Sequence, residues 1–98
     1  MEPSSHASAF KALADPTRRA ILERLKGGDL SAGELAEGFD LTGASLSHHL
    51  SLLLQAGLVR VRREGAFRIY TLHTTVLQEV LSWLMDLNGN PPKRRRSR

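Results

Sequence analysis

The apolar residues of the chain fall into short stripes at helical spacing, each closed by glycine or polar punctuation. Between residues 59 and 72 they switch to alternation, and a helical stripe then returns. The most informative stripe is 41–58, LTGASLSHHLSLLLQAGL. Leu46, Leu50 and Leu53 share one flank with Thr42 and His49 beside them, while Ala44, Ser45, His48, Ser51 and Gln55 fall on the other. Thr42 is placed to cap the start of this helix, and Gly57 to end it in a left-handed turn.

Upstream, residues 5–14 predict a short helix with Ala9, Phe10 and Leu13 on a narrow stripe, which needs a neighbour to be stable. Asp15 and Pro16 then read as N-cap and first residue of a second helix, with Ile21, Leu22 and Leu25 inward and Gly27-Gly28 as terminator. Arg18 and Arg19 sit near its start, against the helix dipole, so a compensating ion pair is expected. Ser31-Ala32-Gly33-Glu34 has the form of a capping box, with Leu30 and Leu35 as a hydrophobic staple, opening a helix of about two turns that Gly38 closes. Leu35, Ala36, Phe39 and Leu41 are expected to hold it against the 41–58 helix, and the small Gly33 and Ala36 suit a close crossing.

In the alternating stretch, Val59 and Val61 interleave with Arg60 and Arg62, Glu64-Gly65 turns the chain, and Phe67, Ile69 and Tyr70 return as a second strand. A ribbon this short needs helices beneath it. Thr75 with Gln78 then offers a capping box for a last helix from Val76 to Leu87, apolar around much of its circumference. The predicted fold is mainly α with a small β-hairpin: four helices, two strands and a final helix, the order of a winged helix-turn-helix.

With 98 residues the chain makes one domain, assigned to 5–87, with a flexible N-terminus at 1–4 and a disordered basic tail at 88–98. It has no cysteine, which excludes disulfides, thiolate metal sites and cysteine nucleophiles. The N-terminus lacks a basic segment followed by an apolar run, and no stretch approaches spanning length, so the expectations are no membrane insertion and a cytoplasmic location. Net charge is +4, yet Lys93, Arg94, Arg95, Arg96 and Arg98 carry five of the positive charges, leaving nine basic against ten acidic groups elsewhere. A case for nucleic acid therefore rests on local arrangement.

That arrangement has two parts. The outer face of the 41–58 helix carries no formal charge, only small hydroxyls, an imidazole and an amide, the groups that reach base edges in a major groove. Beside it the hairpin gathers arginines. The candidate DNA-contacting residues are Thr42, Ala44, Ser45, Ser47, His48, Ser51 and Gln55 on the helix and Arg60, Arg62, Arg63 and Arg68 on the hairpin. The alternative is a winged-helix module that binds a protein partner or RNA, which an exposed apolar face would favour; Leu52 leans that way. No nucleophile triad, paired-carboxylate pocket or phosphate loop stands at meaningful spacing, so no enzyme is expected.

The surplus apolar surface of the first and last helices predicts a homodimer through Ala9, Phe10, Leu13, Leu77, Val80, Leu81, Trp83 and Leu84.

Ordered motifs give a resemblance over nearly the whole chain, from Phe10 to Leu87. Ala14-Asp15-Pro16-Thr17-Arg18-Arg19, Glu34-Leu35-Ala36, Ser47-His48-His49-Leu50, Gly57-Leu58-Val59 and Arg62-Arg63-Glu64-Gly65 resemble the ArsR-type winged-helix repressors. The Lys26-Gly27-Gly28-Asp29 turn, the double histidine and Thr74-Thr75-Val76-Leu77-Gln78 are similar to the SdpR-like autorepressor branch. The resemblance implies a homodimer on a pseudo-palindromic double-stranded DNA operator, repression by promoter occlusion, and a regulatory protein as a further class of partner. Metal-sensing members place cysteines where this chain has Ala36, Glu37 and Gly38. The last helix offers only Glu79 and Asp86, nearly two turns apart, with His73 ahead of it, so neither a metal nor another cofactor is expected. His48 and His49, adjacent on a helix, diverge by about 100°, one toward DNA and one toward the core.

Overall fold

The computed structural model describes residues 3–89. Met1, Glu2 and residues 90–98, including the basic run expected to be disordered, lie outside them. The elements are α1 Pro3–Leu13, α2 Pro16–Leu25, β1 Leu30–Ser31, α3 Ala32–Glu37, α4 Gly43–Gln55, β2 Val59–Glu64, β3 Phe67–Leu72 and α5 Thr75–Leu87.

Capping chemistry sets most of the boundaries. The Asp15 carboxylate accepts from the Arg18 amide at 3.0 Å, with Pro16 opening α2. At α3 both arms of the capping box close: the Glu34 amide donates to Ser31 Oγ at 3.1 Å, and the Ser31 amide to Glu34 Oε1 at 2.8 Å. Thr42 Oγ1 accepts from the Ser45 amide at 3.0 Å to start α4, and Gly57 at φ 77° ends it, a conformation that favours glycine.

Three boundaries differ from expectation. α1 begins at Pro3, since proline is as good an opening residue there as at Pro16, so Pro3 and Ser4 are helical. The sheet has three strands, not two: Leu30 pairs with Tyr70 and Ser31 with Ile69, giving the antiparallel order β1-β3-β2. At α5 the Thr75–Gln78 capping box does not form. Thr75 is already the first helical residue, and its hydroxyl lies 3.4 Å from His73 Nε2. Thr74 occupies the cap with a helical backbone (φ −97°, ψ −3°) that leaves its side chain making no cap bond.

The core is built where the stripes meet: Ile21 and Leu25 of α2, Leu35 of α3, Leu46, Leu50 and Leu53 of α4, then Leu58, Val59 and Tyr70. Each such leucine contributes about 1.5–3 kcal/mol by leaving water. α3 lies against β1 and β3, and Gly33 and Ala36 are exposed, which corrects the close crossing assigned to them. The glycine that permits close approach is Gly38, where a Cβ would collide with the Arg24 guanidinium lying over it.

α1 and α5 pack together beside this core. Phe10 and Trp83 meet edge to face with ring centroids 5.6 Å apart. Ala9 and Val80, assigned above to surplus surface, are buried within the chain. Leu13 and Leu77 are half-buried. Phe10, Leu81, Trp83 and Leu84 remain exposed, with Met85 and Leu87.

Candidate nucleic-acid interface

α4 is seated by its leucines. With Leu46, Leu50 and Leu53 buried, the helix turns Thr42, Ala44, Ser47, His48, Ser51 and Gln55 to solvent, while Ser45 is half-buried at the edge of the same face. Gln55 reaches back one turn to Ser51 Oγ at 3.4 Å. Leu52 is half-buried, so the face has no exposed leucine to favour a protein-binding surface.

The two histidines diverge. His48 is exposed, and His49 is half-buried, with Nδ1 3.0 Å from Arg18 Nη1. A guanidinium only donates, so Nδ1 is the acceptor and the ring proton resides on Nε2.

Arg18 is the residue that sequence reasoning understated. It is 8 % exposed and is the one buried charged residue among those described. Its Nε donates to the Ala12 carbonyl at 2.9 Å and its Nη2 to the Lys11 carbonyl at 3.1 Å, while Nη1 holds His49. Arg19 donates to the Leu13 carbonyl at 2.7 Å. The expected ion pair is thus replaced. Both arginines at the start of α2 cap the carbonyl end of α1, where the helix dipole favours positive charge. One guanidinium thereby ties α1, α2 and α4 together. Asp15 lies alongside, 3.9 Å from His49 Nδ1. Its carboxyl is held below the usual 3.8, first by the Arg18 amide, which outweighs desolvation, and then by the Arg18 charge.

The hairpin projects beyond the core. β2 pairs with β3 in the register Val59↔Leu72, Val61↔Tyr70, Arg62↔Ile69, Arg63↔Arg68 and Glu64↔Phe67, around Gly65 at φ 61°. From Arg60 to Arg68 every side chain is exposed, Phe67 by 63 %. The four arginines are not equivalent. Arg62 is engaged: its Nε donates to Glu64 at 2.8 Å and its Nη1 to Asp29 at 3.0 Å. Arg60, Arg63 and Arg68 make no ion pair among the described residues, and Arg63 and Arg68 sit directly opposite, a like-charge pair that an anion would relieve.

Among the described residues no three His, Asp or Glu side chains come together; His6 meets Glu79 at 3.9 Å, and His73 faces the Gly57 carbonyl. No helix among them is long and apolar enough to cross a membrane.

Two helices in a helix-turn-helix, followed by a β-hairpin against their base, define a winged helix-turn-helix. A helix-turn-helix domain model matches residues 13–62. The sequence is 49% identical over 79 residues to the transcriptional repressor SdpR of Bacillus subtilis (strain 168), covering 81% of this chain and 88% of that protein. It is 33% identical over 82 residues to an arsenical resistance operon repressor of Staphylococcus aureus, covering 84% and 79%. Among solved structures, an ArsR family transcriptional regulator superposes with a TM-score of 0.85 at 32% identity, covering 99% of this chain and 98% of that one. HlyU from Vibrio cholerae N16961 gives 0.71 at 35%, covering 89% and 97%. The chain belongs to the ArsR family of winged-helix transcriptional repressors, in its SdpR-like branch.

Proposed function

We infer that this chain is a sequence-specific DNA-binding repressor that grips a pseudo-palindromic operator as a homodimer and represses transcription by occluding a promoter, its own among the candidates. The observation that carries the reading is the solvent face of α4: uncharged, small and hydrogen-bonding, on a helix whose opposite face is locked in the core. Ser45, Ser47, His48 and Gln55 are assigned to base edges or adjacent phosphates, with Thr42, Ala44 and Ser51 lining the approach. Arg63 and Arg68, with Arg60, supply backbone contacts from the hairpin.

Two half-sites lie about one helical turn, ~34 Å, apart on B-DNA, so two recognition helices need a fixed spacing. The apolar surface left exposed on α1 and α5, Phe10, Leu81, Trp83 and Leu84 with Leu13 and Leu77 at its edge, supports pairing with a second copy and leaves α4 free.

The test is footprinting on the DNA upstream of the chain's own gene, followed by binding of His48→Ala to the protected sequence and to random DNA. The reading expects protection of two half-sites, and discrimination lost in the variant with its melting temperature unchanged. Equal weakening on both DNAs overturns the base-reading role of His48, and no specific protection in any fragment overturns the function.

A further inference from the structure

The hairpin leaves the body of the protein with little apolar anchorage. Val59 is the only buried residue of β2, and the β1 pairing reaches only to Ile69 of β3, beyond which the ribbon is two-stranded. Arg62 stands at that level, opposite Ile69. Its side chain crosses the outer face of β3 from β2 on one edge of the sheet to Asp29, the residue preceding β1 on the other. On the way Nη1 meets Thr71 Oγ1 at 3.4 Å, and Nε is held at the tip side by Glu64. The guanidinium therefore spans all three strands where sheet becomes free ribbon.

The charges around it point away from DNA. Arg62 lies between two carboxylates, so the cluster carries a net −1, whereas Arg63 and Arg68 face each other with no carboxylate in ion-pair reach among the described residues. A phosphate drawing Arg62 outward would have to displace Asp29 and Glu64 and then face both.

Resting on the DNA-binding reading above, we propose that Arg62 is not one of the phosphate-contacting arginines but the positioning residue of the wing: strapped to Asp29, it fixes the angle at which Arg63 and Arg68 are presented to the backbone of the DNA.

Asp29 gives the decisive test. If Arg62 contacted a phosphate, removing a competing carboxylate would tighten binding. If Arg62 positions the wing, removing it weakens binding. Operator affinity of the full chain is measured against salt concentration for Asp29→Asn, Arg62→Ala, Arg62→Lys and Arg63→Ala. Asp29→Asn and Arg62→Ala are each expected to weaken binding about three- to tenfold, and together no more than either alone, as members of one network do. Their salt slopes and melting temperatures stay at wild type, and Arg62→Lys, which keeps a cation on Asp29, restores most of the affinity. Arg63→Ala alone lowers the slope, by about 0.9 for one lost phosphate contact. Without DNA, residual dipolar couplings of the amides from Glu64 to Phe67 should change in Asp29→Asn, reporting a reoriented ribbon. Tighter binding by Asp29→Asn, a slope lowered by about one in Arg62→Ala, or unchanged couplings overturns the proposal. Failure of the wild type to bind any operator would instead sink the DNA reading, leaving the couplings to judge the strap.

Discussion

The recognition helix and the wing are held in opposite ways. α4 is fixed from beneath by three buried leucines and by the buried Arg18, whose hydrogen bonds run to backbone carbonyls and an imidazole. The wing is fixed from outside, by an exposed guanidinium between exposed carboxylates. Arg18 cannot be removed without leaving carbonyls of α1 short of a donor in the interior, so its anchorage is part of the stability of the fold. Arg62 can exchange its partners for water, so its anchorage sets an orientation with little bearing on whether the chain folds. Arginine thus serves the fold at one end of the interface and the geometry of presentation at the other.

The largest effect should come from removing the frame that both regions share. Leu84→Asp would place an unpaired carboxylate in the proposed α1/α5 seam. Sedimentation at micromolar concentration should show a monomer, with operator affinity lost by about a hundredfold or more, since only one half-site is then held and each tenfold is about 1.4 kcal/mol. α4 and the wing should keep their native spectra. A native chain that sediments as a monomer yet binds the operator at full affinity would remove the shared frame from the account.

Next comes the seat of α4. Arg18→Met keeps much of the volume and deletes the donors, and should lower stability by about 2–4 kcal/mol through the stranded carbonyls. Thermal and urea unfolding measure it. Arg62→Ala in the same assay should melt with the wild type, and equal losses at the two positions would erase the contrast between interior and exterior anchorage.

The smallest effect is acidic. Asp15 beneath α4 and Asp29 beside the wing are both held below their ordinary 3.8, Asp15 chiefly by the Arg18 amide and Asp29 chiefly by the hydrogen bond from Arg62 and then by Thr71. A carboxyl lowered in the folded state stabilises fully above its unfolded pKa, and that stabilisation is lost as pH falls through the lowered value. Both anchors should therefore be intact at pH 5 and fail only below 3.8. Carboxyl carbon shifts of the two residues, followed by NMR from pH 6 downward, check the order of events; a midpoint for Asp29 at or above 3.8 would mean that the strap is not formed in solution.

What could be read from the sequence was what neighbours in sequence decide. Caps at Asp15, Ser31 and Thr42, the left-handed Gly57 and the inward leucines of α4 rest on spacings of a few residues, and they stand in the structure where the pattern put them. The misses depend on distant partners. β1 is two residues long, too short to show alternation, and exists because β3 offers Tyr70 and Ile69 some forty residues on. Arg62 finds Asp29 across 33 residues of sequence. Arg18 and Arg19 did announce a conflict with the helix dipole, but the partners that resolve it are the backbone of α1, which no side-chain pattern displays. The Thr75 box failed for a local reason: two threonines in succession made the helix start ambiguous by one residue.

Trp83 is the only tryptophan in the chain, 40 % exposed and set edge-on against Phe10. It stands on the surface proposed to pair with a second copy, well apart in sequence from α4 and the hairpin. The molecule therefore carries its own optical gauge of assembly: indole emission moves to shorter wavelength as a partner displaces water from the ring. Dilution of the unlabelled protein then reads subunit association directly, without a chromophore on any surface assigned to DNA.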